Sequence, residues 1–430
     1  MSPPAMNSLT FQADETFAHQ LDTQDELAGF RQQFAIDDPD LIYLLGNSLG
    51  RLPHAAADQL HHLIHEQWGQ RLIRGWNEGW FTQPAELGAK IARLIGAQPD
   101  EVIVADSTSV NLFKLALAAV KGQRGRNTIL SDNLNFPSDL YILHSVAELA
   151  GPDHRLRLVH SADEIFGPVE LLTAAMNEQT ALVSLSATVF KSGYTYDMAA
   201  ITAKAHEQGA LMLWDLSHAT GAVPVDLNGA NVDLAIGCTY KYLCGGPGAP
   251  AFLYVRRDLQ EKLGNPLSGW MGQNQPFAFG LEYEPAPGMQ RFLTGTPALL
   301  SLTALSAGVD LLLQAGMGSV RAKSVRQTEY FIYLWQQWLE PLGFSLKSPR
   351  DSRWRGSHVA LGHPEGLRIS QALKEELAVL PDFRKPDNLR FAAAPLFNSY
   401  HDIYQAAYRL RRVMDERLYE HYPTSSPVVT

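Results

Sequence analysis

Between residues 102 and 255 the chain repeats one pattern, a short and largely apolar run followed by a stretch of helical periodicity. The runs fall at 102–104, 128–130, 156–159, 181–185, 211–214, 233–236 and 252–255. Runs without polar alternation read as strands buried on both faces. Between them lie helical stretches, one opening at Ser109 and an Ala-rich one at 198–207. Short buried strands alternating with helices predict an α/β fold whose sheet is mostly parallel, seven-stranded and covered by helices on both sides.

The texture changes on either side of this block. Upstream, residues 1–40 read as an irregular arm, followed by a strand at 41–45 that ends in the turn Gly46-Asn47-Ser48-Leu49-Gly50. A helix comes next, with Leu60, Ile64 and Trp68 on one face. Downstream of about residue 300 come long helices at 301–314 and 321–339. Short strands at 358–361 and 389–392 then alternate with helices, the last near 403–419, which predicts a smaller α+β domain. The expected division is an arm at 1–45 belonging partly to the small domain, a large domain at 46–305, a small domain at 306–422 and a loose tail at 423–430. No internal repeat or low-complexity tract interrupts this order.

Composition narrows the function. A formal net charge of −10 argues against sequence-independent binding of nucleic acid or of an anionic membrane. The two cysteines, Cys238 and Cys244, suggest a reducing compartment. The opening Met-Ser-Pro-Pro-Ala-Met-Asn-Ser has no basic segment followed by an apolar one, and the longest apolar candidate, around 302–313, is broken by Asp310. These features predict a cytoplasmic protein.

In open parallel sheets ligands sit beyond the carboxyl ends of the strands, and four polar groups fall there. Asp106-Ser107-Thr108-Ser109 opens a helix after the first strand. Hydroxyls and backbone N–H groups at such a point make a phosphate site, and the same residues serve equally as ordinary N-caps. Asn135-Phe136-Pro137-Ser138-Asp139 follows the second strand, and Phe136 could stack on a planar ligand or fill a loop core. Trp214-Asp215-Leu216-Ser217-His218 ends another strand. There a carboxylate could hold a protonated pyridine nitrogen, or Asp215 could be a loop residue and His218 a core histidine. Thr239-Tyr240-Lys241-Tyr242 precedes a Gly-rich turn, and Lys241 is the only charged residue between Asp233 and Arg256, which argues against an ordinary surface lysine. Taken in order, Ser/Thr, Phe, Asp, His and Lys at successive strand ends are the layout that a pyridoxal 5'-phosphate site requires.

Stretches along the whole chain resemble kynureninase, a family of class V, fold-type-I pyridoxal-phosphate hydrolases. They include Gly46-Asn47-Ser48-Leu49-Gly50, Leu72-Ile73-Arg74-Gly75-Trp76-Asn77, Ser107–Lys114, Asn135–Tyr141, Trp214–His218, Gly237–Leu243, Pro266–Trp270, Arg355–Val359 and Leu389-Arg390-Phe391. The resemblance implies that Lys241 carries the cofactor, that Asp215 pairs with its ring nitrogen and that Phe136, with Pro137, lies against the ring. It implies that Ser107, Thr108 and Tyr240 reach the phosphate, with Trp270 and Thr296 reaching it across a homodimer interface. Ser138, Asp139, Ser186 and His218 would line the cofactor. Arg390 would grip the α-carboxylate of a small amino-acid substrate, bordered by Asn47, Ser48 and Trp76. The implied reaction is hydrolysis of L-kynurenine, or its 3-hydroxy form, to an anthranilate and L-alanine, a step of tryptophan catabolism. Lys241, Tyr240 and Asp215 would be its catalytic residues, and no metal is implied.

Three stretches depart from the family pattern: Trp270-Met271-Gly272-Gln273 where Trp-Phe-Gly-His is usual, 186–190, and 391–395. The first two bear on the choice of substrate and keep open a relative acting on another β-acyl-alanine. A cysteine desulfurase or selenocysteine lyase shares the fold, but both cysteines flank Lys241 and none follows Cys244, which counts strongly against a desulfurase and less against a lyase. A non-catalytic relative is expected to lose Lys241 or Asp215, and both are present. His61 and His65 are spaced to share a metal yet lack the remaining residues of a zincin, so a solvated helix face is expected. Cys238 and Cys244 read as two buried thiols.

Overall fold

The computed structural model describes residues 11–424. The N-terminal octapeptide and most of the expected loose tail, 425–430, lie outside the described residues.

The strands run β1 (Ile42–Tyr43), β2 (Val102–Ala105), β3 (Thr128–Asp132), β4 (Arg155–Val159), β5 (Thr180–Ser186), β6 (Leu211–Asp215), β7 (Leu234–Gly237), β8 (Ala251–Val255), β9 (Ser345–Leu346), β10 (His358–Gly362), β11 (Val379–Leu380), β12 (Asp382–Arg384) and β13 (Asn388–Ala392). The helices are α1 (Glu15–Thr23), α2 (His54–His62), α3 (Gln83–Leu94), α4 (Thr108–Gly122), α5 (Pro137–Ala150), α6 (Val169–Ala175), α7 (Met198–Glu207), α8 (Leu299–Ala315), α9 (Met317–Leu334), α10 (Gly366–Glu376) and α11 (Tyr400–Asp415).

The large sheet has seven strands in the order β2-β8-β7-β6-β5-β3-β4. Every residue of β2, β3, β5, β7 and β8 is buried, which is why those runs carry no polar alternation. The edge strand β4 differs: Arg155 and Arg157 face water, as suits an edge that must not recruit a further strand. All neighbours are parallel except β8, which runs antiparallel to both β2 and β7. Two apolar cores cover the two faces of the sheet. One includes Leu112, Leu115 and Leu143 of α4 and α5, and the other includes Ile91 of α3, Ile201 of α7 and Leu305 of α8.

A third core lies under a four-stranded antiparallel sheet, β12-β13-β10-β9, and gathers residues from α9, α10 and α11. Phe17, Ala18, Leu21 and Ile42 join it from the other end of the chain. The expectation of an irregular arm is therefore wrong for residues 15–23. Asp14 Oδ1 accepts from Phe17 N at 2.9 Å, capping α1, and the helix then buries Phe17, Ala18 and Leu21. The strand expected at 41–45 shrinks to β1, which pairs in parallel with β11. The last helix starts earlier than expected, at a Ser399/Asp402 capping box, and gives way after Asp415 to a 3-10 turn, Leu418–His421.

The helix after residue 50 is not covered as its periodicity suggests. Beyond α2 it widens into a π-helical segment, Leu63–Arg71, leaving Ile64 and Trp68 40% and 58% exposed. No single helix among the described residues is long and apolar enough to cross a membrane. The helices α8 and α9 would pass by length and composition only as a pair bent by 85°, and both contribute to the buried cores.

Candidate active site

Polar side chains converge at the carboxyl edge of the large sheet because five strands deliver them there. The backbone of β7 ends at Gly237, and the turn that follows carries Tyr240 and Lys241. Thr239 Oγ1 fixes that turn by donating to Pro250 O at 2.6 Å. The segment 46–50 is pressed against it: Gly50 N donates to Tyr240 O at 2.8 Å. A Cβ at position 50 would lie 2.4 Å from Lys241 O, so only glycine permits this approach, which brings Asn47 and Ser48 beside the lysine.

A cavity of about 250 Å³ opens there. Asn47, Ser48, Thr108, Ser109, Phe136, Ser138, Asp139, Phe190, Asp215, Ser217, His218, Tyr240, Lys241, Arg384 and Arg390 form its wall. The Lys241 amine lies 3.0 Å from His218 Nε2 and 5.8 Å from the centre of the Tyr240 ring. Asp215 ends β6, and its Oδ1 accepts from Ser217 N at 2.9 Å and Ser217 Oγ at 2.6 Å. The Asp139 carboxyl is hydrogen-bonded to Asp215. Burial, and then the neighbouring Asp215 charge, pushes it well above the usual carboxylate range. Burial, then the Lys241 and Arg390 charges, holds His218 well below its usual value, so its ring is neutral.

A second cavity of about 460 Å³ adjoins the first through Thr108, Ser109 and Tyr240, and is lined also by Ser107, Thr294 and Thr296. Ser107 caps α4, its Oγ accepting from Val110 N at 3.4 Å, and this helix N-terminus opens on the second cavity. Asp106 sits at φ 47°, a left-handed conformation, where the buried Lys114 amine at 2.7 Å and Thr294 Oγ1 at 3.0 Å hold its carboxylate.

The structure thus gathers Asn47, Ser48, Thr108, Phe136, Ser138, Asp139, Asp215, His218, Tyr240, Lys241 and Arg390 around one cavity, with Ser107 and Thr296 in the adjoining one. Phe136 is 43% exposed, its ring edge-on to Phe190 at 5.3 Å, so it does not fill a loop core. Other expected residues lie elsewhere. Pro137 begins α5 and lines neither cavity; its fixed φ suits the first helical position. Ser186 ends β5 beside Asp215 and is buried, its backbone N–H donating to Asn135 Oδ1. Trp76 and Trp270 meet each other edge-on at 6.4 Å, away from Lys241.

Cavity residues missed in the sequence are Ser109, Phe190, Ser217 and Arg384. Ser109 and Ser217 sat inside motifs already singled out, whereas nothing in the sequence marked Arg384. Of the departures from the family pattern, Met271 is fully buried in the core and Gln273 pins its own loop, donating to Glu282 O and accepting from Glu284 N. Cys238 and Cys244 are free and buried, and His61 and His65 are exposed.

The donor set fits pyridoxal phosphate. An amine, a carboxylate at the sheet edge, an exposed aromatic face and a hydroxyl-lined helix N-terminus lie in connected cavities. Buried polar atoms there, His218 Nδ1 and both side-chain polar atoms of Asn47, have no partner within the protein.

Comparison with known proteins agrees. The aminotransferase class-V model matches residues 42–343, and the kynureninase C-terminal domain model matches 320–410. The chain is 44% identical to kynureninase from Pseudomonas fluorescens, over 92% of this chain and 94% of that protein. It is 42% identical to kynureninase from Burkholderia mallei, with the same coverage. Among solved structures, a cysteine desulfurase from Thermococcus onnurineus superposes with a TM-score of 0.77 at 17% identity, covering 90% of this chain and 98% of that one. A C-DES variant with glycine covalently linked to its pyridoxal-phosphate cofactor gives 0.76 at 19% identity, covering 89% and 98%. These two share the fold alone, whereas the identity and coverage of the first two relatives are those of one family. The chain is a pyridoxal-phosphate enzyme that belongs to the kynureninase family.

Proposed function

We propose that the cavity around Lys241 hydrolyses the Cβ–Cγ bond of L-kynurenine or 3-hydroxy-L-kynurenine, giving an anthranilate and L-alanine, as a step of tryptophan catabolism. The observation that carries this reading is the meeting of Lys241, Tyr240, Asp215 and Arg390 on one 250 Å³ cavity, in a chain 44% identical to a kynureninase.

The bound cofactor supplies an electron sink for charge developing at the substrate α-carbon. Lys241 Nζ would hold the cofactor, and as a free amine it would take the proton from the substrate α-carbon. His218 is neutral, so its Nε2 can accept from the Lys241 amine and aim it. Asp215, kept in place by Ser217 and hydrogen-bonded to Asp139, would be the carboxylate that pairs with the cofactor's ring nitrogen. Tyr240 is the general acid and base for water adding to the γ-carbonyl. Burial keeps its phenol above the ordinary range and therefore protonated at neutral pH. Arg390 takes the α-carboxylate, with Asn47 and Ser48 on the same wall. Ser107 and Thr108, at the α4 N-terminus, would hold the cofactor's phosphate.

The enzyme works as a homodimer in which Trp270 and Thr296 complete the partner's site, and Trp76 and Ser186 support the aromatic and cofactor ends. The apolar surface around them supports this. Trp270 packs against Trp76 and Phe277, and Phe277 against Phe279, and Trp270, Phe277 and Phe279 are all exposed, as a contiguous apolar interaction surface would be. The chain divides functionally into a cofactor-binding domain at 46–305 and a small domain formed by 306–422 with the arm 1–45. The shared core of Phe17 and Leu21 with α11 supports that division. Two free buried thiols support a cytoplasmic location.

The test is steady-state turnover by holoenzyme of L-kynurenine, 3-hydroxy-L-kynurenine and aliphatic β-acyl-alanines. Preference for either kynurenine supports the reading. Turnover of the aliphatic substrates alone would replace it with a related hydrolase.

A further inference from the structure

Arg390 is not a lone guanidinium waiting for a carboxylate. Strands β12 and β13 are antiparallel, and Asp382 stands directly opposite Arg390 in their register. Opposed residues project from the same face of a sheet, and so does a residue two further along the strand. Asp382, Arg384 and Arg390 therefore emerge together on one face, and Arg384 and Arg390 line the Lys241 cavity. Asp382 Oδ2 is ion-paired with Arg390 Nη2 and lies 3.2 Å from Arg384 Nη2. Ser48 Oγ donates to the same oxygen at 3.3 Å. Asp382 and Arg390 are each only 1% exposed, while Arg384 keeps 38% of its side chain exposed.

Asp382 does not line the cavity, whereas Arg384, Arg390 and Ser48 do. One buried carboxylate thus serves two cations and a hydroxyl that all face the substrate space. The set carries one net positive charge, which a single carboxylate from the substrate would neutralise. The opposite end of the Arg390 guanidinium is also held: Nη1 donates to Phe190 O, and Nε is buried without a partner in the protein. An unpaired guanidinium at this depth would be costly, and burial already lowers Arg390 to about 10.

We propose that Asp382 is the positioning residue of the α-carboxylate site. It fixes the orientation of Arg390, with Arg384 as the second cation that leaves the set one positive charge in excess. This rests on Arg390 binding the α-carboxylate. Removing Asp382 would leave two neighbouring arginines without their common counterion, free to turn away from the site. Removing Arg384 would leave Asp382 to neutralise Arg390 alone.

L-Alanine and L-alaninamide test this without kynurenine, because they differ only at the carboxylate. Wild-type, Asp382→Asn and Arg384→Gln holoenzymes are titrated with each ligand, following the cofactor's absorbance. The expected result for Asp382→Asn is L-alanine binding weakened about 10- to 100-fold, the scale of a lost contact between charged groups. Alaninamide binding should stay within about 3-fold of wild type, a difference under 1 kcal/mol. Arg384→Gln should weaken L-alanine selectively by a smaller factor. Unchanged or tighter L-alanine binding in Asp382→Asn would overturn the proposal, since Asp382 would then be idle or a competitor of the substrate. If Asp382→Asn loses both ligands, Arg384→Gln decides: selective loss of L-alanine supports the proposal, and no selectivity overturns it. A holoenzyme that discriminates L-alanine from its amide but leaves kynurenine intact would refute the proposed reaction and leave this inference standing.

Discussion

The Lys241 amine lies 3.0 Å from His218 Nε2, and the imidazole is held neutral by burial and by the lysine itself. The partnership is reciprocal. A neutral ring can accept from the lysine and steer it without adding a competing charge. Two carboxyl groups, Asp139 and Asp215, and two guanidinium groups, Arg384 and Arg390, line the same cavity.

Tyr240 should matter for rate more than for binding. Its phenol stays protonated through neutral pH, and its ring centre lies 5.8 Å from the Lys241 amine on the same cavity. We expect Tyr240→Phe to lower kcat by about 10²- to 10⁴-fold, the usual span for a lost general acid or base. KM should change much less, and cofactor absorbance should be retained. Steady-state kinetics with spectra of both proteins check this.

If Trp270 and Thr296 act across an interface, two inactive variants should repair each other. Subunits carrying Lys241→Ala and subunits carrying Trp270→Ala are each expected to be poorly active. Mixed in equal amounts and allowed to exchange, they should recover about a quarter of the wild-type sites, because half the dimers are mixed and each has one intact site. Recovery that fails despite demonstrated exchange would place Trp270 with its own chain's site.

Stability should fall in acid partly through His358. Its ring is fully buried, 6.1 Å from that of His218, and burial together with Arg390 lowers it from 6.5 to about 3. The unfolded chain then binds a proton that the folded one refuses. The associated stability is complete above about pH 6.5 and is lost as pH falls toward 3. We expect His358→Gln to flatten the decline of Tm between neutral pH and pH 5, measured by thermal unfolding in matched buffers.

Much of this was legible in the sequence because both-face burial leaves a plain mark. The runs that became β2, β3 and β5 to β8 needed only their apolarity to be found. That same burial hid the direction of β8, since a strand without polar alternation carries no sign of which way it runs. Helix α1 was missed because it is nine residues long and buries only Phe17, Ala18 and Leu21. Lys241, Asp215 and Phe136 stood out by their order along the sheet edge. Asp382 and Arg384 did not, because β12 has three residues between Pro381 and Pro386, too few for any periodicity. Their importance comes from register with Arg390, a relation that only the folded sheet creates. The departures at Met271 and Gln273 are accounted for within this chain by a core position and a loop tie.

The central claim is that Lys241 carries the cofactor in this cavity. Reduction of the holoenzyme with borohydride, followed by peptide mapping, tests it most directly. The account predicts one pyridoxyl-modified residue, Lys241, in the peptide containing Tyr240 and Tyr242. A label on any other lysine, or no label on a protein that holds the cofactor, would contradict it.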